Sequence, residues 1–172
     1  IMGDSHTCTH GAFGAFACGV GTTALEVGIL KGLATLEYPK SIKIILNGDL
    51  QKGVYAKDVI LYIISKLTTN GATNMAIEFA GSLVPKLSME ERMTISNMAV
   101  EAGATTGIFL PDEVTLEYLW KFIHAEYNDD KQKALADFKK WHSDPDASYV
   151  KTLEIDVSKI EPLVTIKYAP DQ

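Results

Sequence analysis

Apolar residues follow two spacings along this chain, and together these spacings predict strands that alternate with helices. Helical spacing predicts helices over residues 56–67, 88–102, 111–123 and 133–141. Short apolar or alternating runs predict strands over residues 42–46, 75–79, 108–110 and 150–157. Because right-handed crossovers would put helices on both faces of the sheet, we expect an α/β fold. The predicted architecture is a three-layer α/β/α sandwich with a partly parallel sheet.

The first forty residues are small and apolar, and they predict two further helices ahead of the first strand. Residues 10–19 predict a tightly packed helix that begins at Thr9 or His10. A second helix is expected to begin at Thr22 or Thr23. Its apolar residues have the spacing of a buried stripe, formed by Leu25, Ile29, Leu33 and Leu36.

The chain changes character near residue 38, where its glycine-rich first part ends. We therefore expect a domain boundary there, which divides residues 1–38 from residues 39–172. Residues 50–55 follow an Asn-Gly turn signal and are a candidate hairpin partner of strand 42–46. The richest polar loop opens as early as residue 3, so we also expect the chain to be an internal fragment of a longer protein.

Composition and charge exclude several classes of protein. The formal net charge of −6 argues against a nucleic-acid-binding protein, which normally carries a basic face. No apolar run is long enough to cross a bilayer, and the first residues do not form a signal peptide. Cys8 and Cys18 are too few for a disulfide framework, so a cytoplasmic location is expected. Their spacing also fits no metal site held by this chain alone.

Residues 3–11 hold the densest group of reactive side chains in the sequence. Asp4, Ser5, His6 and Cys8 lie between two glycines, which suggests a loop built around a small polar ligand. Free amide groups at a helix start there would favour an anion. The simpler alternative is a capped turn, since Asp and Ser are ordinary N-cap residues. A serine hydrolase is a weak alternative, because the Gly-x-Ser-x-Gly pattern is absent.

A second candidate group lies on the helix that Ser88 and Glu91 open as a capping box. Asn97 and Glu101 are four residues apart and therefore share one face of that helix. They are either a surface stripe or, if that face is buried, groups that need a partner. The natural partner of Glu101 is then His6, and we expect the two side chains to come within hydrogen-bonding reach. Such a pair could shuttle a proton or steer a metal-bound water.

Residues 3–15, with the sequence Gly-Asp-Ser-His-Thr-Cys-Thr-His-Gly-Ala-Phe-Gly-Ala, resemble the signature loop of the aconitase superfamily. Further blocks resemble large subunits of that superfamily and occur in the same order, at residues 53–60, 77–81, 87–94, 96–105 and 111–113. Together these blocks cover about residues 3 to 120. Residues after 125 match only loosely, and residues 166–168 depart from the family pattern.

The resemblance implies a hydro-lyase that isomerises a hydroxy di- or tricarboxylic acid by dehydration and rehydration. It also implies a [4Fe–4S] cluster in the complete enzyme, whose cysteine ligands are not in this chain. Asp4 and His6 would be catalytic residues that also contact the substrate, and Ser5 would bind a substrate carboxylate. Asn97 would lie beside the cluster, and Glu101 would be the catalytic partner of His6. No residue of this chain is implied as a metal ligand.

The same resemblance divides the chain and names what it needs. Residues 1–38 would be the C-terminal part of the first aconitase-type α/β domain, and residues 39–172 would be the second. The implied partners are a small, swivel-domain subunit and the remaining domains of the large subunit, with no nucleic acid and no membrane. We expect the chain alone to be inactive. The alternative from another class is a non-catalytic α/β module that binds an anion.

Overall fold

The computed structural model describes residues 1–165 and residue 170, so the departure at residues 166–168 lies outside the described residues. Its centre is a four-stranded sheet in the order β3-β2-β1-β4. The strands are β1 (Lys40–Asn47), β2 (Met75–Ala80), β3 (Thr106–Phe109) and β4 (Lys151–Asp156). The predicted α/β class is confirmed, and every strand pair in the described residues is parallel.

Helices fill the connections between these strands. The α-helices are α1 (Thr22–Lys31), α2 (Ala56–Leu67), α3 (Met89–Asn97), α4 (Glu113–Ile123) and α5 (Lys131–Lys139). In the part of the chain that the structure describes, five 3₁₀ helices add to them: Ser5–Phe13, Val84–Lys86, Met98–Ala102, His124–Tyr127 and Val157–Lys159. Among the residues described, no helix combines the length and the apolar character needed to cross a membrane.

The hydrophobic core lies between one face of the sheet and helices α2 and α3. Alternate residues of β1 point into it, so Ile42, Ile44 and Leu46 are buried while their neighbours are only partly covered. Eight of the twelve residues of α2 are buried against the same face. Burying one such aliphatic side chain contributes roughly 1.5–3 kcal/mol. This helix and this strand therefore form the centre of the hydrophobic core.

The opposite face of the sheet carries a buried polar group instead of a second apolar core. The Glu78 carboxylate, on the central strand β2, is ion-paired with Lys43 Nζ at 3.1 Å. Its other oxygen accepts hydrogen bonds from the hydroxyls of Ser143 and Tyr149. A cavity of about 410 Å³ adjoins this group, and Trp141 forms part of its wall. This face is thus covered by connecting segments.

Helix α3 is anchored by the only arginine of the sequence. Arg92 is fully buried and binds the Asp112 carboxylate with both terminal nitrogens, at 2.8 and 2.7 Å. The same guanidinium donates to the carbonyl of Val84 at 2.9 Å. Asp112 in turn caps α4 by accepting from the backbone N–H groups of Val114 and Thr115. One ion pair therefore joins the middle of α3 to the start of α4.

Three local expectations are wrong. The first helix is a 3₁₀ helix that begins at Ser5 and ends at Phe13, so residues 15–19 are not helical. Helix α1 begins at Thr22 as predicted, but none of its ten residues is buried, and the expected stripe is largely exposed. Residues 50–55 form no strand and instead lead into α2. In each case the apolar spacing or turn signal is present in the sequence. The surface or strand that the predicted element would pack against or pair with does not lie beside it in the described residues.

Candidate active site

Asp4 sets the start of the polar segment that the sequence singled out. Its carboxylate accepts a hydrogen bond from the backbone N–H of His6 at 2.6 Å. Its carbonyl accepts from the Thr7 hydroxyl at 2.6 Å and from the Thr7 backbone N–H at 3.3 Å. Asp4 therefore acts as the N-cap of the 3₁₀ helix Ser5–Phe13. The amide groups of His6 and Thr7 are therefore occupied. The helix start at Thr9 or His10, where free amide groups were expected to favour an anion, is not present because the helix already begins at Ser5.

The 3₁₀ helix has one buried side and one exposed side. Thr7, Cys8, Gly11 and Ala12 face the protein, whereas Asp4, Ser5 and His10 face solvent and His6 is half-buried. Gly11 lies directly on the backbone of β3, where an added Cβ would sit 1.9 Å from the carbonyl oxygen of Gly107. Only glycine permits so close an approach of two backbones. The exposed side is thereby held at the edge of the sheet.

The end of α3 meets this helix at Asn97. There the helix tightens from α to 3₁₀ geometry, and residues Met98–Ala102 continue it. The Asn97 side-chain Nδ2 donates to Thr9 Oγ1 at 2.9 Å, and the Asn97 carbonyl accepts from Cys8 Sγ at 3.4 Å. Asn97 and Glu101 thus both face the polar segment, in agreement with their spacing in the sequence.

His6 and Glu101 approach each other across 95 positions of sequence. His6 Nε2 lies 3.5 Å from Glu101 Oε1, a distance longer than that of an ordinary N–H···O hydrogen bond. On the other side of the ring, Ser5 Oγ lies 3.0 Å from His6 Nδ1. An ionised carboxylate only accepts hydrogen bonds, so we assign the proton to Nε2. The neutral ring then accepts the Ser5 hydroxyl proton at Nδ1.

This pair is open to a ligand. The side chains of His6 and Glu101 are 42% and 41% exposed, so each keeps a surface on which substrate could bind. A histidine that touches a hydroxyl on one nitrogen and a carboxylate on the other can accept a proton and have its charge stabilised. The arrangement is suited to proton transfer at the surface of the domain.

The described residues do not form a cluster site by themselves. Within residues 1–165 and 170, no group of three His, Cys, Asp or Glu side chains could hold a metal ion. Cys8 and Cys18 are both free thiols and both buried. Burial also raises the pKa of the Cys8 thiol, which disfavours the thiolate that metal binding requires.

The chain also lacks a free arginine for a carboxylate substrate. Arginine is the side chain best suited to bind a carboxylate, because it forms a bidentate fork with both oxygens. The single arginine, Arg92, is fully buried and already forms that fork with Asp112. Any arginine that binds substrate must therefore come from another part of the protein or from a partner.

All five candidate residues of the sequence analysis belong to one continuous site. Asp4, Ser5 and His6 lie on the polar segment, and Asn97 and Glu101 face it from the end of α3. Sequence reasoning did not single out Thr9, whose hydroxyl connects the two elements. Thr9 does lie inside the predicted loop, but nothing in its spacing shows which residue it would meet.

Comparison with known proteins identifies the class. The model of the aconitase family (aconitate hydratase) matches residues 1–172, so the chain belongs to the aconitase family. The chain is 63% identical over its full length to the "3-isopropylmalate dehydratase large subunit" of Geobacter metallireducens. It is 61% identical to the protein of that name in Geotalea uraniireducens. Both matches cover 40% of the length of the relative.

A more distant relative shows the same partial coverage. The "3-isopropylmalate dehydratase large subunit 1" of Pyrococcus furiosus is 48% identical over 171 residues, or 99% of this chain and 38% of the relative. The chain thus spans about two fifths of the length of the curated relatives that it matches.

Proposed function

We propose that this chain is part of the large subunit of an iron–sulfur hydro-lyase, a 3-isopropylmalate dehydratase that acts in leucine biosynthesis. The observation that carries the proposal is the contact of His6 with Glu101, 95 positions away, with Ser5 on the other ring nitrogen. Family membership and the names of the relatives support the same reaction class. The alternative of an anion-binding module is weakened, because Asp4 occupies the amide groups of His6 and Thr7.

In the proposed reaction, His6 holds and moves the proton. In the rehydration direction the neutral imidazole accepts at Nδ1 a proton from the water that adds to the substrate, and in the dehydration direction it returns that proton to the leaving hydroxyl, which departs as water. Glu101 stabilises the intervening imidazolium through Nε2. Ser5 donates its hydroxyl hydrogen bond to a substrate carboxylate once substrate displaces it from His6. Asp4 fixes the backbone of His6 and presents an exposed carboxylate beside the substrate hydroxyl.

Groups outside the chain complete the proposed site. A [4Fe–4S] cluster, held by cysteines elsewhere in the large subunit, would supply Lewis acidity toward the substrate hydroxyl. Asn97 is the residue that this chain would place beside it. A small, swivel-domain subunit and the remaining large-subunit domains would supply the arginines that bind the substrate, because Arg92 is already paired with Asp112. We also propose that residues 1–38 and 39–172 belong to two successive domains of a cytoplasmic enzyme.

The test uses the full-length protein together with its small-subunit partner, reconstituted anaerobically with iron and sulfide. We expect dehydration of 3-isopropylmalate by this complex and no turnover by residues 1–172 alone. His6→Asn should lower kcat by about 10²-fold or more, the usual contribution of a positioned acid–base group. The matched control, His124→Asn, changes an exposed histidine that pairs with Asp129 at 2.8 Å and lies beside the Trp120 ring, and should leave kcat unchanged.

Each further outcome separates the alternatives. Preferential turnover of homocitrate, 2-methylmalate or dimethylmalate would reassign the enzyme as a homoaconitase or as the corresponding malate-derivative dehydratase. A full-length protein that takes up no cluster, and turns over none of these acids, would favour the anion-binding module. Unchanged kcat in His6→Asn would overturn the site assignment while leaving the enzyme class intact.

A further inference from the structure

Thr9 joins the two elements that carry the candidate site. Its hydroxyl donates to the carbonyl oxygen of His6 at 2.7 Å. The Thr9 hydroxyl oxygen also accepts a hydrogen bond from Asn97 Nδ2 at 2.9 Å. A hydroxyl has one proton to donate and two lone pairs, so both bonds can exist at once. A continuous hydrogen-bonded path therefore runs from the backbone of His6 to the side chain of Asn97.

The backbone of His6 is held by hydrogen bonds on both sides of the residue. His6 has φ −93° and ψ 19°, which differ from helical values although the residue lies inside the 3₁₀ helix. Asp4 holds the N–H of His6 and Thr9 holds its carbonyl, so the peptide groups on both sides of the imidazole are fixed.

The neighbouring polar residues cannot replace this connection. The Thr7 hydroxyl bonds to the Asp4 carbonyl and stays within the loop. The Cys8 thiol does reach Asn97, but at 3.4 Å and as a weak donor. Among the hydrogen bonds of the described residues, the Thr9–Asn97 bond at 2.9 Å is the shorter of the two that join this segment to Asn97.

We propose that Thr9 is a positioning residue, whose hydroxyl ties His6 to Asn97 and thereby holds the imidazole against Glu101. The kinetic consequence rests on the proposed function, since only a catalytic His6 makes its position matter for turnover. The structural consequence does not rest on the proposed function. Without the Thr9 hydroxyl, the His6 ring should leave the 3.5 Å contact with Glu101.

The kinetic arm compares four variants of the full-length protein with its small-subunit partner, assayed on 3-isopropylmalate. Thr9→Val keeps the shape of the side chain but removes both bonds, and we expect kcat to fall about 10- to 100-fold with KM within twofold. Thr9→Ala removes the same bonds with less steric risk and should behave alike. Thr9→Ser keeps the hydroxyl and should stay within threefold of wild type.

Thr94→Val is the matched control. The Thr94 hydroxyl bonds only to the Glu90 carbonyl of its own helix at 2.9 Å, so kcat should stay within twofold. Comparable losses in Thr9→Val and Thr94→Val would mean that removing any threonine hydroxyl in this region harms turnover, and would overturn the proposal. A loss of kcat in Thr9→Ser as large as the loss in Thr9→Val would also overturn the proposal.

The second arm needs no turnover. In the full-length protein with selectively labelled histidine and glutamate, the His6 ring should show a nuclear Overhauser contact to the γ-protons of Glu101. This contact should persist in Thr9→Ser and Thr94→Val and disappear in Thr9→Val and Thr9→Ala. Its persistence in the last two, or its absence in wild type, would overturn the positioning role. A wild type without activity that keeps this pattern would reject the proposed function alone.

Discussion

Helices α1 and α2 are similar in length and apolar content, yet they have opposite environments. Eight of the twelve residues of α2 are buried, whereas none of the ten residues of α1 is. Ile63 of α2 is fully buried, and Ile29 of α1 is 74% exposed. Helix α2 packs against the inner face of the sheet. Helix α1 precedes the first strand and packs against no comparable surface.

This contrast shows that helix formation and helix burial are separate questions, although the spacing of apolar residues is used to predict both. The spacing predicted correctly that both helices form, because a helix needs only a local pattern, although α1 ends at Lys31 and leaves Leu33 and Leu36 outside it. Burial needs a second surface at the right distance, and the parallel sheet offers its inner face to α2 and α3. The candidate site is intermediate in burial between α1 and α2, because its buried side lies on β3 and α3 and its polar side is exposed.

The largest expected effect is a direct test of this contrast. Ile63→Ala should lower the free energy of unfolding by about 3 kcal/mol, because it removes buried methyl groups and leaves a cavity. Ile29→Ala makes the same chemical change on an exposed helix and should cost less than about 0.5 kcal/mol. Urea unfolding monitored by circular dichroism measures both. Equal losses in the two variants would show that α1 is buried in solution.

Helix α3 sharpens the comparison, because a charge supports it from within the core. Arg92→Met should cost about 3 kcal/mol, since it leaves the Asp112 carboxylate and the Val84 carbonyl without their partner. The control is Lys139→Met, which replaces an exposed cation in the last turn of α5 and should change stability little. Urea unfolding again measures the difference. A stable Arg92→Met variant would mean that the ion pair does not hold α3 in place.

Acid should weaken α2 more than α1, because Asp58 lies at the buried start of α2. Burial alone would raise the pKa of Asp58, but the backbone N–H groups of Leu163 and Tyr55 more than offset it and hold the pKa below its usual value. A carboxyl whose folded pKa lies below its unfolded value, about 3.9, stabilises the fold above that value. This stabilisation is lost as the pH falls through the folded pKa.

The matching measurement is the free energy of unfolding between pH 6 and pH 2. Asp58→Asn should lose stability less steeply with acid than wild type, because it no longer binds a proton on unfolding. Glu26→Gln removes an exposed carboxyl from α1 and should leave the acid limb unchanged. Superimposable acid limbs in wild type and Asp58→Asn would contradict the role of this carboxylate.

The smallest effect concerns the cap that starts the helix leading to Asn97. The Ser88 hydroxyl accepts from the backbone N–H of Glu91, and the Glu91 carboxylate accepts from the N–H of Ser88 at 2.8 Å. Ser88→Ala should cost about 1 kcal/mol. Ser65→Ala removes an exposed hydroxyl that bonds to the Tyr62 carbonyl at the C-terminal end of α2, and should cost less. Equal costs would remove the capping box from the account of α3.

Much of the candidate site was predictable because its residues are close in sequence. The segment from Asp4 to His6 stands out by density alone, and the four-residue spacing of Asn97 and Glu101 predicts a shared face. The start of the first helix was wrong, because a 3₁₀ turn capped by Asp4 begins four or five residues earlier than predicted. A side-chain cap at Asp4 competes with a later start, and spacing of apolar residues does not report such a bond.

The sequence by itself predicted the strands, most of the helices and the residues of the candidate site, because caps, turns and apolar spacing act over a few residues. The tertiary structure alone decided which apolar faces are covered and which distant groups meet. Helix α3 runs beside the 3₁₀ helix because Gly11 lets that helix lie against β3. The same packing brings His6 and Glu101 close together in space, although 95 positions separate them in the sequence. It also places the Thr9 hydroxyl between loop and helix.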